Sequence, residues 1–349
     1  DLSLYTGTIA GEALAQISEP LGICYETDVK RTLRSVRTRQ GVVEIAYDLG
    51  MLRAGALELP ISEIEFELLS GHVEAIFVVG KRWSRAHGLI MDARSKAERG
   101  DCLAVLNQAL TLIDSETSNH SADKAKSVEK QENTAIARTK AIAKFWAPRG
   151  AQAVALTANM TVAQALTMVT HECLDQIIRN AAVLAEVDTA GIMQVGQAEH
   201  VHQLRVGIRR LRSAWSLFNG LTPLPPQALR DAIKPHFAKL GGTRDDDVLN
   251  EQLIPILLAA GQPQLILERD SSQDIPPHLV VTSEAFQGWL LDIVTHSIAP
   301  PKSLAEIQPA ATTAETSVLG AAPSEQSATL PVTTADKSGA LRAVKALTL

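Results

Sequence analysis

The chain has 349 residues, a formal net charge of −6, 46% hydrophobic residues and only 4% aromatic ones. That length and apolar content suffice for two cores filled by Ala, Leu, Val and Ile, while the acidic balance leaves no global basic field to draw in nucleic acid. Cys24, Cys102 and Cys173 are odd in number, far apart and without metal-ligand spacing, so they read as reduced packing thiols rather than disulfides or a zinc site. No apolar run approaches the roughly 20 residues that span a bilayer and no signal peptide is visible, so the expected compartment is the cytoplasm.

From the amino terminus, Val42 to Asp48 and Ile61 to Leu69 alternate like strands. The second puts Glu63, Glu65 and Glu67 on one face and Ile64, Phe66 and Leu68 on the other. Carboxylates lining one strand face repel unless cations neutralise them, and hard oxygen ligands at i, i+2 and i+4 suit Mg²⁺ or Mn²⁺. Spacing alone leaves open an edge strand with a solvated acidic face. Val73 to His87 reads as an amphipathic helix, and Arg99-Gly100 precedes a further segment.

The segments ETDVKRTLRSVR, VVEIAYDLGMLRAGALELPISEIEFELLSG and RSKAERGDCL, within Tyr25 to Leu103, resemble the later part of a CYTH domain, the triphosphate tunnel metalloenzyme family, in the version fused to a CHAD domain. The resemblance implies a closed antiparallel β-tunnel of a metal-dependent inorganic triphosphatase. Glu63, Glu65 and Glu67 would bind the metal, and Arg34, Arg37, Arg39, Arg53 and Lys96 would grip triphosphate oxygens. Arg37 and Arg39 share a face if their segment is extended. The family's E-x-E-x-K strand is absent, so a partial tunnel without hydrolytic activity of its own is expected for residues 1–113.

Residues 114–133, DSETSNHSADKAKSVEKQEN, read as a polar linker or solvated helix face. Thr134 to Trp146 and Val162 to Leu184 follow as a lead-in and a long helix, with Leu166, Val169, Cys173, Ile177 and Ala181 at core spacing and His171 read as exposed or capped, with the phosphate site as the alternative. Gly191 to Gly196 reads as a turn between helices. Next comes HVHQLRVGIRRLRSAWSLF, His200 to Phe218. Val201, Leu204, Ile208, Leu211, Trp215 and Phe218 form an apolar stripe, and one position later His202, Arg205, Arg209 and Arg212 form a cationic one, with Arg210 facing elsewhere. Stacked guanidinium groups repel by a few tenths of a kcal/mol per pair, and no carboxylate intervenes between Glu199 and Phe218. Guanidinium forks suit phosphate oxygens. Spacing alone gives an Arg-rich solvated face equal standing. Gly241 and Gly242 read as the end of the preceding helix, with Arg244 and Asp245 to Asp247 in the first turn of the next. Lys234, His236 and Lys239 could extend the basic patch.

The strings HQLRVGIRRLRSAWSLF and LGGTRDDDVLNEQL resemble the first half of a CHAD domain, the α-helical domain with conserved histidines found in polyphosphate-associated proteins. The resemblance implies inorganic polyphosphate binding by His202, Arg205, Arg209, Arg210, Arg212 and Arg244. Glu284 to His296 reads as one more helix, and the Pro, Ala, Thr and Ser-rich run after Ala299 as disorder, with a helix possible over Ala340 to Leu349. The fold expected is α+β and predominantly α: a partial antiparallel β-tunnel over 1–113, a polar linker over 114–133, the first half of a helical bundle over 134–298, and a low-complexity tail over 299–349. The expected ligand is inorganic polyphosphate or triphosphate, with Mg²⁺ or Mn²⁺ at the tunnel. A half-domain exposing its seam favours a homodimer, and the competing reading is a non-catalytic scaffold that docks an acidic protein.

Overall fold

A computed structural model describes residues 2–18, 22–118, 124–187, 189, 192, 196, 198–248, 253–261, 275–298 and 343–345. After a short 3-10 turn and helix α1 (Ile9–Leu14), strands β1 (Glu26–Arg37), β2 (Gly41–Ala54) and β3 (Leu57–Gly71) form an antiparallel meander. The β2–β3 turn is two residues long; Gly55 adopts φ +56°, and the Asn107 side chain occupies the place its Cβ would take. Only glycine meets both conditions. Beyond β3 lie β5 (Ala343–Lys345) and then β4 (Ile90–Asp92), giving the order β1-β2-β3-β5-β4 with β5 parallel to both neighbours.

A helix over Ala340 to Leu349 is therefore corrected: residues 343–345 are a strand, and the others lie outside the described residues. The unpaired backbone edges of β3 and β4 offer these residues ready partners. Among the described residues the sheet is open, and its antiparallel part has three strands.

The pleat sends Val43, Ile45, Ile64 and Phe66 to one face, where α2 (Glu74–His87) covers them with Ala75, Ile76 and Val79. The opposite face carries Leu52, Ala54, Leu59 and Ile61, packed under Leu103, Leu106 and Leu110 of α3 (Lys96–Ser118) and under Phe145 and Trp146. Helix α4 (Lys124–Phe145) returns antiparallel along α3. The polar stretch 114–133 thus forms, where described, the two ends of a helical hairpin, and Phe145 and Trp146 at the end of α4 add to the core under the sheet.

Helix α5 (Val162–Leu184) starts at a capping box in which Thr161 and Gln164 each bond the other's backbone N–H. It buries Leu166, Cys173, Ile177 and Ala181, as its periodicity predicts, and packs along α6 (Ala198–Leu217). Most of the predicted turn at 191–196 lies outside the described residues. Helices α7 (Gln227–Asp231), α8 (Lys234–Val248), α9 (Ile254–Ala259), α10 (Pro277–Val281) and α11 (Glu284–Ile298) follow. The low-complexity run from Ala299 to residue 342 lies outside the described residues.

Candidate functional site

On the α3 side of the sheet, the apolar rungs give way to a charged one. Arg31 of β1 stands opposite Asp48 of β2, which stands opposite Glu63 of β3, and Glu65 follows on the same face. The first turn of α3 adds Lys96 and Arg99 from above. Arg31 grips Asp48 with two bonds, Nε to Oδ1 at 2.8 Å and Nη2 to Oδ2 at 2.7 Å, and reaches Glu65 Oε2 at 2.7 Å. Lys96 Nζ lies 2.7 Å from both Asp48 Oδ2 and Glu65 Oε1 and also contacts Glu63. Arg99 pairs with Glu63. Asp48 and Glu63 are 0% and 1% exposed.

Burial alone would raise the Asp48 and Glu65 carboxyls, but hydrogen bonds from Arg31 and Lys96 to Asp48, and from Lys96 to Glu65, hold both below the usual range. For Lys96 burial acts downward and the three carboxylates outweigh it, so its ammonium is held charged. Carboxylate oxygens of Asp48, Glu63 and Glu65 lie within 4.8 Å of one another. Three hard oxygen donors on rigid strands fit Mg²⁺ or Mn²⁺ by donor type, though the chain's own cations also bind them here.

Of the expected metal ligands, Glu63 and Glu65 come together, while Glu67 is exposed further along β3. Of the expected triphosphate residues, Lys96 joins the cluster. Arg34 and Arg53 project from the opposite face, Arg53 beside Glu58 at 3.1 Å and Asp28 at 3.5 Å. Arg37 is exposed at the end of β1, and Arg39 sits in the β1–β2 turn, so the two share no strand face: β1 ends at Arg37 because the chain must reverse. Asp48, Arg31 and Arg99 escape a reading by spacing. Asp48 closes the predicted strand Val42 to Asp48, but its partners follow from the cross-strand register, which alternation within one strand does not fix.

The second cluster lies on α6. Val201, Leu204, Ile208, Leu211 and Trp215 are buried, as expected, together with His200, whose Nε2 lies 2.8 Å from the Trp146 carbonyl. The Arg205 guanidinium carbon lies 4.7 Å, and that of Arg212 5.6 Å, from the centre of the Phe237 ring on α8. His202 is half-buried; Arg209 and Arg212 are exposed and make no ion pair among the described residues. Arg210 turns away to α5, bonding Gln176 Oε1 at 2.7 Å and Glu172 Oε2 at 2.5 Å. Past the end of the row, Arg230 and Lys234 line an open cleft with Arg212 and Ser216.

Helix α8 runs unbroken through Gly241 and Gly242, which corrects the helix-ending turn expected there. A Cβ on Gly241 would lie 2.8 Å from Arg205 Nη1, so this glycine makes room for the arginine rather than turning the chain. Arg244 falls within α8, with its side chain outside the described residues. Lys234 and Lys239 are exposed, but His236 is buried edge-on against Phe286 and takes no part in a surface patch. Between the two clusters runs an alternating ion ladder: Glu98 on α3 with Arg179, Arg179 with Asp175 at 2.6 Å, Asp175 with Arg149 at 2.9 Å, and Arg149 beside Glu172, the partner of Arg210.

The sequence model of the CHAD domain family matches residues 169–324, from within α5 past the end of α11. Over 83 residues the chain is 40% identical to a protein of Haemophilus influenzae named inorganic triphosphatase, which is 24% of this chain and 24% of that relative. The chain thus covers about a quarter of the length of the curated relative it matches. The match to the CHAD family model thus spans residues 169–324, and the similarity to the inorganic triphosphatase is partial.

Proposed function

We propose that the chain binds inorganic polyphosphate along the α6 row of His202, Arg205, Arg209 and Arg212, continued by Arg244 on α8. We further propose that the β1–β3 sheet carries a metal and triphosphate site of CYTH type built on Asp48, Glu63, Glu65, Arg31 and Lys96. The observation that carries this reading is the contrast along α6. Arg210 is neutralised by Glu172, whereas Arg209 and Arg212 stand exposed with no acidic partner among the described residues. Phosphate oxygens at successive turns would receive the guanidinium forks and remove the repulsion between them. Phe237 limits the rotamers of Arg205 and Arg212, so little further ordering is needed on binding.

At the sheet, a bound divalent cation would be held by Asp48, Glu63 and Glu65 and would supply neutralisation of phosphoryl oxygens. Arg31 and Lys96 reach the same space and would orient the phosphate chain, and Arg99 fixes Glu63 from the buried side. The sequence has no E-x-E-x-K strand, so binding rather than hydrolysis of triphosphate is proposed for this unit.

The test is calorimetric titration with polyphosphate at two salt concentrations, for the native chain and for a chain with Arg205, Arg209 and Arg212 replaced by Ala. The native chain is expected to bind with an affinity that falls steeply with salt, and each lost phosphate contact lowers the slope of log K against log salt by about one. An unchanged slope in a folded variant would remove the row from the site. Affinity that does not grow with phosphate chain length would favour the scaffold reading, in which the row docks an acidic protein.

A further inference from the structure

The charged rung of the sheet holds three carboxylates, Asp48, Glu63 and Glu65, and three cationic groups, Arg31, Lys96 and Arg99. Its formal charge is zero before any ligand arrives. Lys96 Nζ occupies the focus of the three carboxylates, with one oxygen of each around it and two of those at 2.7 Å. That is the position a small hard cation would take among the same donors. We propose that Lys96 is a tethered cation competing with a divalent ion for this site, and that metal and triphosphate therefore bind in concert, the ammonium passing from the carboxylates to the phosphate as the metal enters.

The inference rests on the reading of the sheet as a metal and triphosphate site, and charge balance carries it further. A divalent ion added alone to a neutral cluster leaves two uncompensated positive charges in a partly buried space, which low-dielectric surroundings penalise. A triphosphate chain supplies the missing negative charge and gives Lys96 and Arg31 new partners. The groups able to move are identifiable by exposure. Arg99 is 1% exposed and stays with Glu63, whereas the Lys96 and Arg31 side chains are 17% and 43% exposed. Lysine suits the exchange because its ammonium is a point charge on a flexible four-carbon stem, satisfied equally by carboxylate or phosphate oxygens. No bond is made or broken; only ion pairs change partners.

The experiment is Mn²⁺ binding by the full chain, read from water-proton relaxation enhancement, with and without saturating tripolyphosphate. The native protein is compared with Lys96→Gln and with Arg31→Gln, each first shown to be folded by circular dichroism. The native chain is expected to hold Mn²⁺ weakly alone and at least about tenfold more tightly with tripolyphosphate. Both variants are expected to bind Mn²⁺ alone about tenfold more tightly than the native chain and to gain less from tripolyphosphate. Equal Mn²⁺ affinity in native and variant proteins would overturn the tethered-cation inference while leaving the metal site standing. No Mn²⁺ binding by any of them, with or without tripolyphosphate, would remove the metal site itself and this inference with it. Repeating the titrations with the α6 arginines replaced separates triphosphate held at the sheet from triphosphate held on the helix.

Discussion

His236 lies beneath the basic row rather than in it. The ring is buried against Phe286, its Nδ1 has no hydrogen-bond partner among the described residues, and burial, aided by Lys239, pushes its pKa below the ordinary 6.5. A histidine whose folded pKa lies below its unfolded one contributes stability that is complete above the unfolded value and is lost as the pH falls from there through the folded value. Urea denaturation at pH 7.5 and pH 5 should therefore show the native chain losing stability on acidification, and His236→Leu, of similar volume, losing less. Parallel losses in the two proteins would place the proton uptake elsewhere. The same residue illustrates what spacing conceals. Lys234, His236 and Lys239 read alike along the chain, yet a two-residue step on a helix turns by about 200°, which sends His236 into the core while Lys234 stays outside. Arg205, Arg209 and Arg212 were legible because a complete apolar stripe beside them fixed which face of α6 is buried.

Among the elements, α8 departs most from its sequence reading. Two adjacent glycines normally mark the end of a helix, each costing about 1 kcal/mol relative to Ala. Here α8 continues, since Gly241 faces the Arg205 guanidinium on α6. Gly241→Ala should raise helix stability by up to about 1 kcal/mol, because the clashing atom is the far end of a flexible side chain that can move aside. The displaced guanidinium would leave Phe237, and polyphosphate affinity should fall by several-fold. Thermal melts and the titration described above read the two effects separately; a variant both more stable and equally tight in binding would dissociate the glycine from the site. Strands β2 and β3 and helices α2, α5, α6 and α11 were legible from alternation and helical spacing. What sequence could not supply was pairing between elements: the rung joining Arg31, Asp48 and Glu63, the descent of Lys96 and Arg99 onto it from α3, and the insertion of β5 between β3 and β4 all depend on register or on contacts between segments far apart in the chain.

At the scale of the molecule, the sheet and the helices share buried surface. Phe77 of α2 and Ile90 and Met91 of β4 belong to the same core as Leu174, Ile177, Leu204, Phe286 and Leu290. Polar contacts fasten the same seam: the Met91 N–H donates to Gln287 Oε1 at 2.9 Å, and Gln287 Nε2 donates to the Val281 carbonyl at 2.8 Å. Arg94, 2% exposed, grips Asp92 with Nε and Nη2 at 2.8 Å each, donates to the Val187 carbonyl at 3.3 Å, and lies 4.3 Å over the Trp146 ring. One arginine thus ties the end of β4 to the loop after α5 and to the residue following α4. A shared core and a buried bidentate pair make separate unfolding of the two parts unfavourable, so calorimetry should give one cooperative transition, coincident with far-ultraviolet circular dichroism and tryptophan fluorescence. Arg94→Met keeps the volume but leaves the Asp92 carboxylate buried without its partner, a loss of about 3–5 kcal/mol. The whole transition should then shift downward by at least about 5 °C, since 1 kcal/mol corresponds to about 2–4 °C in proteins of 150–250 residues. Two resolved transitions in the native chain, with Arg94→Met moving only one, would mean that the sheet and the helices unfold independently and that the ion ladder between Glu98 and Arg210 joins two separately stable bodies.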